Sequence, residues 1–297
     1  MINFEGRVAL VTGAGRGLGF AYARLLAARG ASVVIHDKGV DCEGVGADPA
    51  IATAAAERLQ REGAKVIGAF DDIANPVGCR TLVERAVAAF GRLDVVIHNA
   101  GWVGYQAIET LEPHFLERMM ALGVNAPLWL AQAAWPVMKH QGYGRILLTT
   151  SCRALYPDYV QTGLTAYAAA KSATTGIVHA LAKEGAPHGI KVNAVSPVAK
   201  TRMWGIEEDP DELHPDLVAP GVVYLVSEAS EATAWILRAS NGQFHALQQR
   251  EAEGVDYPRD LRGVAAETPE AVAKVWPMIA CARPEARMQT STIATGR

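Results

Sequence analysis

Val8-Ala9-Leu10-Val11-Thr12-Gly13-Ala14-Gly15-Arg16-Gly17-Leu18-Gly19 is the stretch on which the reading of this chain turns. Its apolar start suits a strand covered on both faces, and from Gly17 the pattern changes at once to helical spacing. The glycines between allow a tight turn and a close approach of backbone to a bound group. Free N–H groups at the start of the following helix favour an anion there. Strand, glycine turn and helix in that order predict a cradle for a dinucleotide pyrophosphate, built from Gly13, Gly15, Arg16, Gly17, Leu18 and Gly19.

Outward from the cradle, short apolar runs at residues 8–11, 32–36, 65–70, 94–98, 145–149 and 191–195 read as strands. Helical patterns occupy 17–29, 49–62, 76–90, 113–139 and 166–184. Repeated strand–helix–strand units require parallel pairing, and right-handed crossovers put helices on both faces of the sheet. The expected fold class is α/β: a single Rossmann-type, doubly wound parallel sheet with a C-terminal extension. The segment 37–49 is a Gly- and Asp-rich loop, longer than a usual strand-to-helix connection. Beyond Pro197 the alternation decays. Residues 216–227 look helical, 234–239 read as a last strand, and 268–279 form one helical stretch in otherwise polar sequence. Residues 1–245 are expected to form a dinucleotide-binding catalytic domain. Residues 246–297 are expected to be an extension packed on it or on a neighbouring subunit.

Composition narrows the function classes. Of 297 residues half are hydrophobic and a fifth charged, the balance of a globular protein with a real core. A formal charge of −3 gives no basic footprint for nucleic acid or a membrane surface. No apolar run reaches the roughly 18 residues of a transmembrane helix, and the N-terminus lacks the pattern of a signal peptide. Cys42, Cys79, Cys152 and Cys281 are scattered without metal-ligand spacing, so neither a disulfide framework nor a metal site is expected. A cytoplasmic enzyme with a small-molecule substrate fits best.

Asp37 lies about 20 residues past the cradle, where a carboxylate accepts hydrogen bonds from ribose hydroxyls. It would repel a 2′-phosphate, which favours NAD over NADP. Arg16 and Lys38 act in the opposite sense, since either can pair with that phosphate. Asp72, beside Ile73 after the third strand, is a candidate acceptor for the adenine amino group; the alternative is a helix cap ahead of Asn75-Pro76.

Tyr167 and Lys171 are four residues apart, hence on one helix face. A tyrosine is a weak base at neutral pH, and a neighbouring ammonium would lower its pKa toward a useful range. Ser151 ends the fifth strand, at the edge where ligands bind in open parallel sheets.

Taken together, TGAGRGLG, His98-Asn99-Ala100-Gly101, Asn125, Ser151 and Tyr167/Lys171 occur in the order of the short-chain dehydrogenases/reductases, which the chain resembles from Arg7 to about Met203. Within that family it looks most like the D-3-hydroxyacyl-CoA dehydrogenase portion of peroxisomal multifunctional enzymes. That likeness rests on His36-Asp37-Lys38-Gly39, Tyr143-Gly144-Arg145-Ile146, Thr201-Arg202-Met203 and Thr268-Pro269-Glu270-Ala271-Val272.

The resemblance implies hydride exchange between NAD(H) and a secondary alcohol or ketone. Tyr167 would move the proton at the substrate oxygen and Ser151 would hydrogen-bond that oxygen. Lys171 would hold the nicotinamide ribose beside Tyr167, and Asn125 would anchor a water linking Lys171 to solvent. Asn99, Ala100 and Gly101 would wall the cofactor, with Pro197 and Thr201 at the nicotinamide. A homodimer or homotetramer is implied, through the helices bearing Met119, Met120, Trp129, Trp135 and Tyr167. His98 stands where the family usually has Asn, and Val198 where Gly is commonest. The segment 152–166 is about three residues longer than usual, which makes Tyr156 and Tyr159 candidates for the substrate pocket. A 3-hydroxyacyl-CoA is the nearest substrate, with a hydroxysteroid or other bulky cyclic alcohol as the alternative. A non-catalytic dinucleotide sensor is the rival from another class; such a protein should have lost Tyr167 or Lys171.

Overall fold

A computed structural model describes residues 1–206 and 210–280; Cys281 lies outside the described residues. The chain falls into two compact units, 1–248 and 249–297.

The first unit opens with β1 (Val8–Thr12), α1 (Gly17–Ala28), β2 (Ser32–His36), α2 (Pro49–Arg61), β3 (Val66–Ala69), α3 (Pro76–Phe90) and β4 (Val95–His98). It continues through α4 (Pro113–Met120), α5 (Ala126–Gln141), β5 (Gly144–Thr149), α6 (Cys152–Leu155), α7 (Thr165–Gly185) and β6 (Ile190–Val198), and closes with α8 (Ala219–Leu225), β7 (Ile236–Ser240) and β8 (Gln243–Leu247). The sheet order is β3-β2-β1-β4-β5-β6-β7-β8, parallel up to β7. This is the doubly wound sheet expected.

Strand alternation divides the core into two layers. Ala9, Val11, Val33, Ile35, Val95 and Ile97 face Tyr22 and Leu26 of α1 and Val222 of α8. Val8, Leu10, Val34, Val96, Ile146 and Leu148 face Leu82 of α3, Leu130 and Met138 of α5 and Val178 of α7. The chain reverses direction across the sheet between β1 and β4. The buried Asp94 carboxylate fixes that junction, accepting from the Val8 amide at 2.9 Å and from Arg7 at 3.0 Å. The crevice at the carboxyl ends of these two strands is where a doubly wound sheet takes its ligand.

Two departures from the sequence expectation have physical causes. The single helix expected over 113–139 is interrupted by a π turn at Ala121–Asn125, where the Ala126 amide reaches back to the Ala121 carbonyl. Pro127 has no N–H to give to the turn, which loosens the ladder there. The polar stretch after β7 is not irregular but forms β8, antiparallel to β7. Asn241 and Gly242 join the two strands with φ of 50° and 75°. An Asn-Gly pair with both residues left-handed is the turn that matches the twist of a hairpin.

The second unit contains α9 (Pro269–Ile279), whose N-cap Thr268 accepts from the Ala271 amide at 3.1 Å. Among the described residues no helix is long and apolar enough to cross a membrane.

Candidate active site

The cradle forms because its glycines leave room that side chains would fill. Gly13 has φ of 62°, and a Cβ there would lie 2.8 Å from Ala100 Cα. A Cβ on Gly19 would run into the Gly13 carbonyl oxygen, so this glycine lets α1 pack directly against the turn. Gly19 does not line the cleft; Gly13, Gly15, Arg16, Gly17 and Leu18 do. Asn99 fixes the turn from the β4 side, its Nδ2 donating to the Thr12 and Gly13 carbonyls at 3.2 and 3.0 Å. Thr12 Oγ1 accepts from the Asn99 and Ala100 amides, both at 3.1 Å.

At the far end of the cradle, Asp37 is almost buried. Its two oxygens accept one amide each, from Gly15 at 3.0 Å and Gly39 at 2.8 Å. A carboxylate has about four acceptor sites, so two remain for hydroxyl donors. Lys38 is ion-paired with Asp72 at 2.8 Å, while Arg16 and Arg202 donate to the Val40 carbonyl at 3.1 and 2.9 Å. Asp72 also accepts from the Ala74 amide at 3.0 Å, and the cap of α3 is Asn75. Ile73 is buried and lines the same cleft.

At the other end, β5 and α7 bring Ser151, Tyr167 and Lys171 into one cleft of about 1800 Å³ with Asn99, Ala100, Gly101, Pro197 and Thr201. Lys171 Nζ donates to the Thr149 carbonyl at 2.9 Å and lies 6.0 Å from the centre of the Tyr167 ring. A Cβ on Gly101 would be 3.6 Å from that ammonium, and one on Gly17 3.3 Å from Thr201 Cγ2. The cradle and the tyrosine therefore border one continuous space.

The electrostatics differ from the sequence expectation. Burial raises the Tyr167 phenol above its ordinary pKa, although the Ser151 hydroxyl and the Arg153 charge pull it down. Burial likewise lowers Lys171 to about 8. Tyr167 and Lys171 are 8% and 7% exposed, so loss of hydration dominates both groups. At neutral pH the phenol is the protonated partner, suited to donating to a ketone oxygen; alcohol oxidation needs the phenolate and is favoured as pH rises.

Asn125, expected to anchor a water linking Lys171 to solvent, is the last residue of the π turn, is exposed and does not line the cleft. From this turn it is Gly123 that meets the Lys171 helix, where a Cβ would lie 2.9 Å from Ala170 Cβ. The turn is tied instead to His98. Thr12 Oγ1 already accepts two amides, so its hydroxyl hydrogen goes to His98 Nδ1 at 3.1 Å. His98 Nε2–H then donates to the Leu122 carbonyl at 3.1 Å, the acceptor whose helical partner the π turn diverts. Burial, reinforced by the Lys171 charge, lowers His98 to about 3 and keeps it neutral. Sequence reasoning gave His98 no role; only its place beside the glycine turn pointed to one.

Of the two tyrosines in the long segment, Tyr159 lines the cleft and Tyr156 does not. Tyr156 stands behind it, edge-on at 5.8 Å between ring centres, and Arg238 of β7 lies over both rings. Arg153 and Arg238 also line the cleft, and sequence reasoning missed both. Arg153 carried a signal in directly following Ser151-Cys152; Arg238, inside a strand run, carried none.

Known proteins place this geometry. The profile described as short chain dehydrogenase matches residues 7–210. The peroxisomal multifunctional enzyme type 2 of Mus musculus is 33% identical over 99% of this chain, which spans only 39% of that protein. A short-chain type dehydrogenase/reductase of Mycobacterium tuberculosis is 33% identical, over 91% of this chain and 95% of its own length. The crystal structure of a short chain dehydrogenase from Mycobacterium avium superimposes with a TM-score of 0.79 at 29% identity, covering 95% of this chain and 97% of that one. With the cradle and Ser151, Tyr167 and Lys171 falling inside the matched residues, the chain belongs to the short chain dehydrogenase family of oxidoreductases.

Proposed function

We propose that this protein is an NAD-dependent oxidoreductase that interconverts a secondary alcohol and its ketone on a 3-hydroxyacyl-type carbon skeleton. The observation that carries the reading is that Ser151, Tyr167 and Lys171 share one cleft with the glycine cradle. Residues 13–19 would hold the pyrophosphate, Asp37 the adenosine ribose, and Pro197 and Thr201 the nicotinamide end. The nicotinamide, when bound, supplies the hydride chemistry. Ser151 would orient the substrate oxygen, Tyr167 would exchange its proton there, and Lys171 would hold the nicotinamide ribose. The resemblance to peroxisomal multifunctional enzymes supports the acyl skeleton. Packing of α5 and α7 against a second copy is the oligomeric arrangement that fits the family.

NAD is preferred on this reading because Asp37 keeps two acceptor sites for ribose hydroxyls while Lys38 is occupied by Asp72. The ratio of kcat/KM for NAD over NADP should exceed one, and Asp37→Ala should reduce it by about tenfold or more through relief of charge repulsion. Initial rates with both dinucleotides measure this. A wild-type protein that prefers NADP would place control with Arg16 and Lys38 instead.

A further inference from the structure

The cations of the cleft are mostly spoken for. Arg24 pairs with Asp216, Lys38 with Asp72 and Lys200 with Glu212. Arg16 and Arg202 donate to the Val40 carbonyl, and Arg118 to the Glu43 and Gly44 carbonyls. Arg58 lies over the Phe20 ring. At the reacting end the pattern changes. Among the described residues neither Arg153 nor Arg238 is paired with a carboxylate, and both line the cleft with Ser151 and Tyr167.

Both side chains are held in place by aromatic groups rather than by anions. Arg153 Nη1 donates to Tyr105 Oη at 2.8 Å, and Tyr105 in turn donates to Gln161 Oε1 at 3.1 Å. Arg238 lies 4.8 Å from the centre of the Tyr156 ring and 5.8 Å from that of Tyr159, beside Cys152. Cys152 Sγ is 3.1 Å from Ser196 Oγ, and Ser196 is the partner of Arg238 in the β6–β7 register. Segment 151–153 and strand β7 therefore bring two guanidinium groups to the wall that carries Ser151. Arg238 also hydrogen-bonds Cys152 and Tyr159, and a guanidinium has five N–H donors, so each arginine keeps N–H groups beyond those contacts for a planar anion. Asp158 lies on the same loop, exposed, and forms no ion pair with either arginine.

We propose that Arg153 and Arg238 form a carboxylate-binding subsite, so that the preferred substrate is a free hydroxy acid whose carboxylate lies a few bonds from the carbinol carbon. This rests on the function proposed above and narrows its substrate class: the skeleton is used as the free acid, not as a thioester. The anion sets orientation. With the carboxylate forked between the arginines, the carbinol carbon is held at a fixed reach from Ser151 and Tyr167, which raises the fraction of productive encounters.

The test is a matched set on one skeleton: 3-hydroxyhexanoate, its methyl ester, its pantetheine thioester and its CoA thioester, each assayed with NAD. The free acid should exceed the methyl ester in kcat/KM by about 30-fold or more, the value of a charge-assisted hydrogen bond. In Arg238→Met and Arg153→Met the acid-to-ester ratio should collapse toward one. The ratio is read within each variant, so any loss of folded protein cancels. Arg238→Lys, which keeps the charge and loses the fork, should retain part of it. Equal use of acid and methyl ester by the wild type overturns the subsite. Preference for the CoA thioester over the pantetheine thioester and the acid also overturns it, since the anion bound would then be a nucleotide phosphate. Calorimetry of the acid and the ester against the NADH-saturated protein gives a readout without turnover. Tighter binding of the acid with no turnover of any compound would leave the subsite standing and count against the oxidoreductase reading; no preference in binding would overturn the subsite alone.

Discussion

Tyr167→Phe should lower the rate with any substrate by about 10²- to 10⁴-fold, the range contributed by a positioned acid or base. The ring is 8% exposed and packs with Trp102, Met119 and Leu164, so phenylalanine keeps the packing and removes only the hydroxyl. The Ser151 hydroxyl and the Arg153 charge both act on that phenol. Dinucleotide affinity should change by less than about tenfold, since at most one hydrogen bond is lost. Steady-state rates with fluorescence titration of NADH separate the two effects. A variant retaining more than a few per cent of the rate would remove Tyr167 from the chemistry.

Lys171→Met should act in opposite senses on activity and stability. Turnover should fall by about 10² or more, because the ammonium proposed to hold the ribose, 6.0 Å from the centre of the Tyr167 ring, is gone. Stability should rise. Burial lowers the folded pKa to about 8 from 10.5, so folding is opposed by the charged form. That cost is fully present below the folded value and fades as pH climbs past the unfolded one, above which neither state is charged. The shift corresponds to at most about 3 kcal/mol, and loss of the bond to the Thr149 carbonyl offsets part of it. Urea unfolding at pH 7 should show Lys171→Met more stable by about 1–3 kcal/mol, with the gap closing toward pH 10.5. A less stable variant at pH 7 would mean that the lysine is held by favourable contacts rather than against a desolvation cost.

The parts legible in the sequence were those in which one residue type serves one local geometry. Gly13 and Gly19 announce a turn that nothing larger fits, and Tyr167 and Lys171 announce a helix face. The strands were legible because burial on both sides leaves continuous apolar runs. Asn125 was placed by its order in the family pattern rather than by any local geometry, and the π turn at Ala121–Asn125 leaves it exposed and outside the cleft. Pro127 was the available clue. Strand β8 was hidden because its outward face is polar, and only Asn241-Gly242 marked the hairpin. Arg238 was invisible for a deeper reason: its importance comes from β7 lying next to β6, a neighbour relation that no local pattern contains.

The central claim is that the cradle and Tyr167 act on one hydride transfer. It is tested most directly with NADH carrying deuterium on a single face of the nicotinamide C4, incubated with matched ketones. Mass spectrometry of the product alcohol should find deuterium on the carbinol carbon from one labelled face and not from the other, formed at least about 10²-fold more slowly with Tyr167→Phe. Tight NADH binding with no transfer from either face to any ketone would contradict the account and make the protein a dinucleotide sensor.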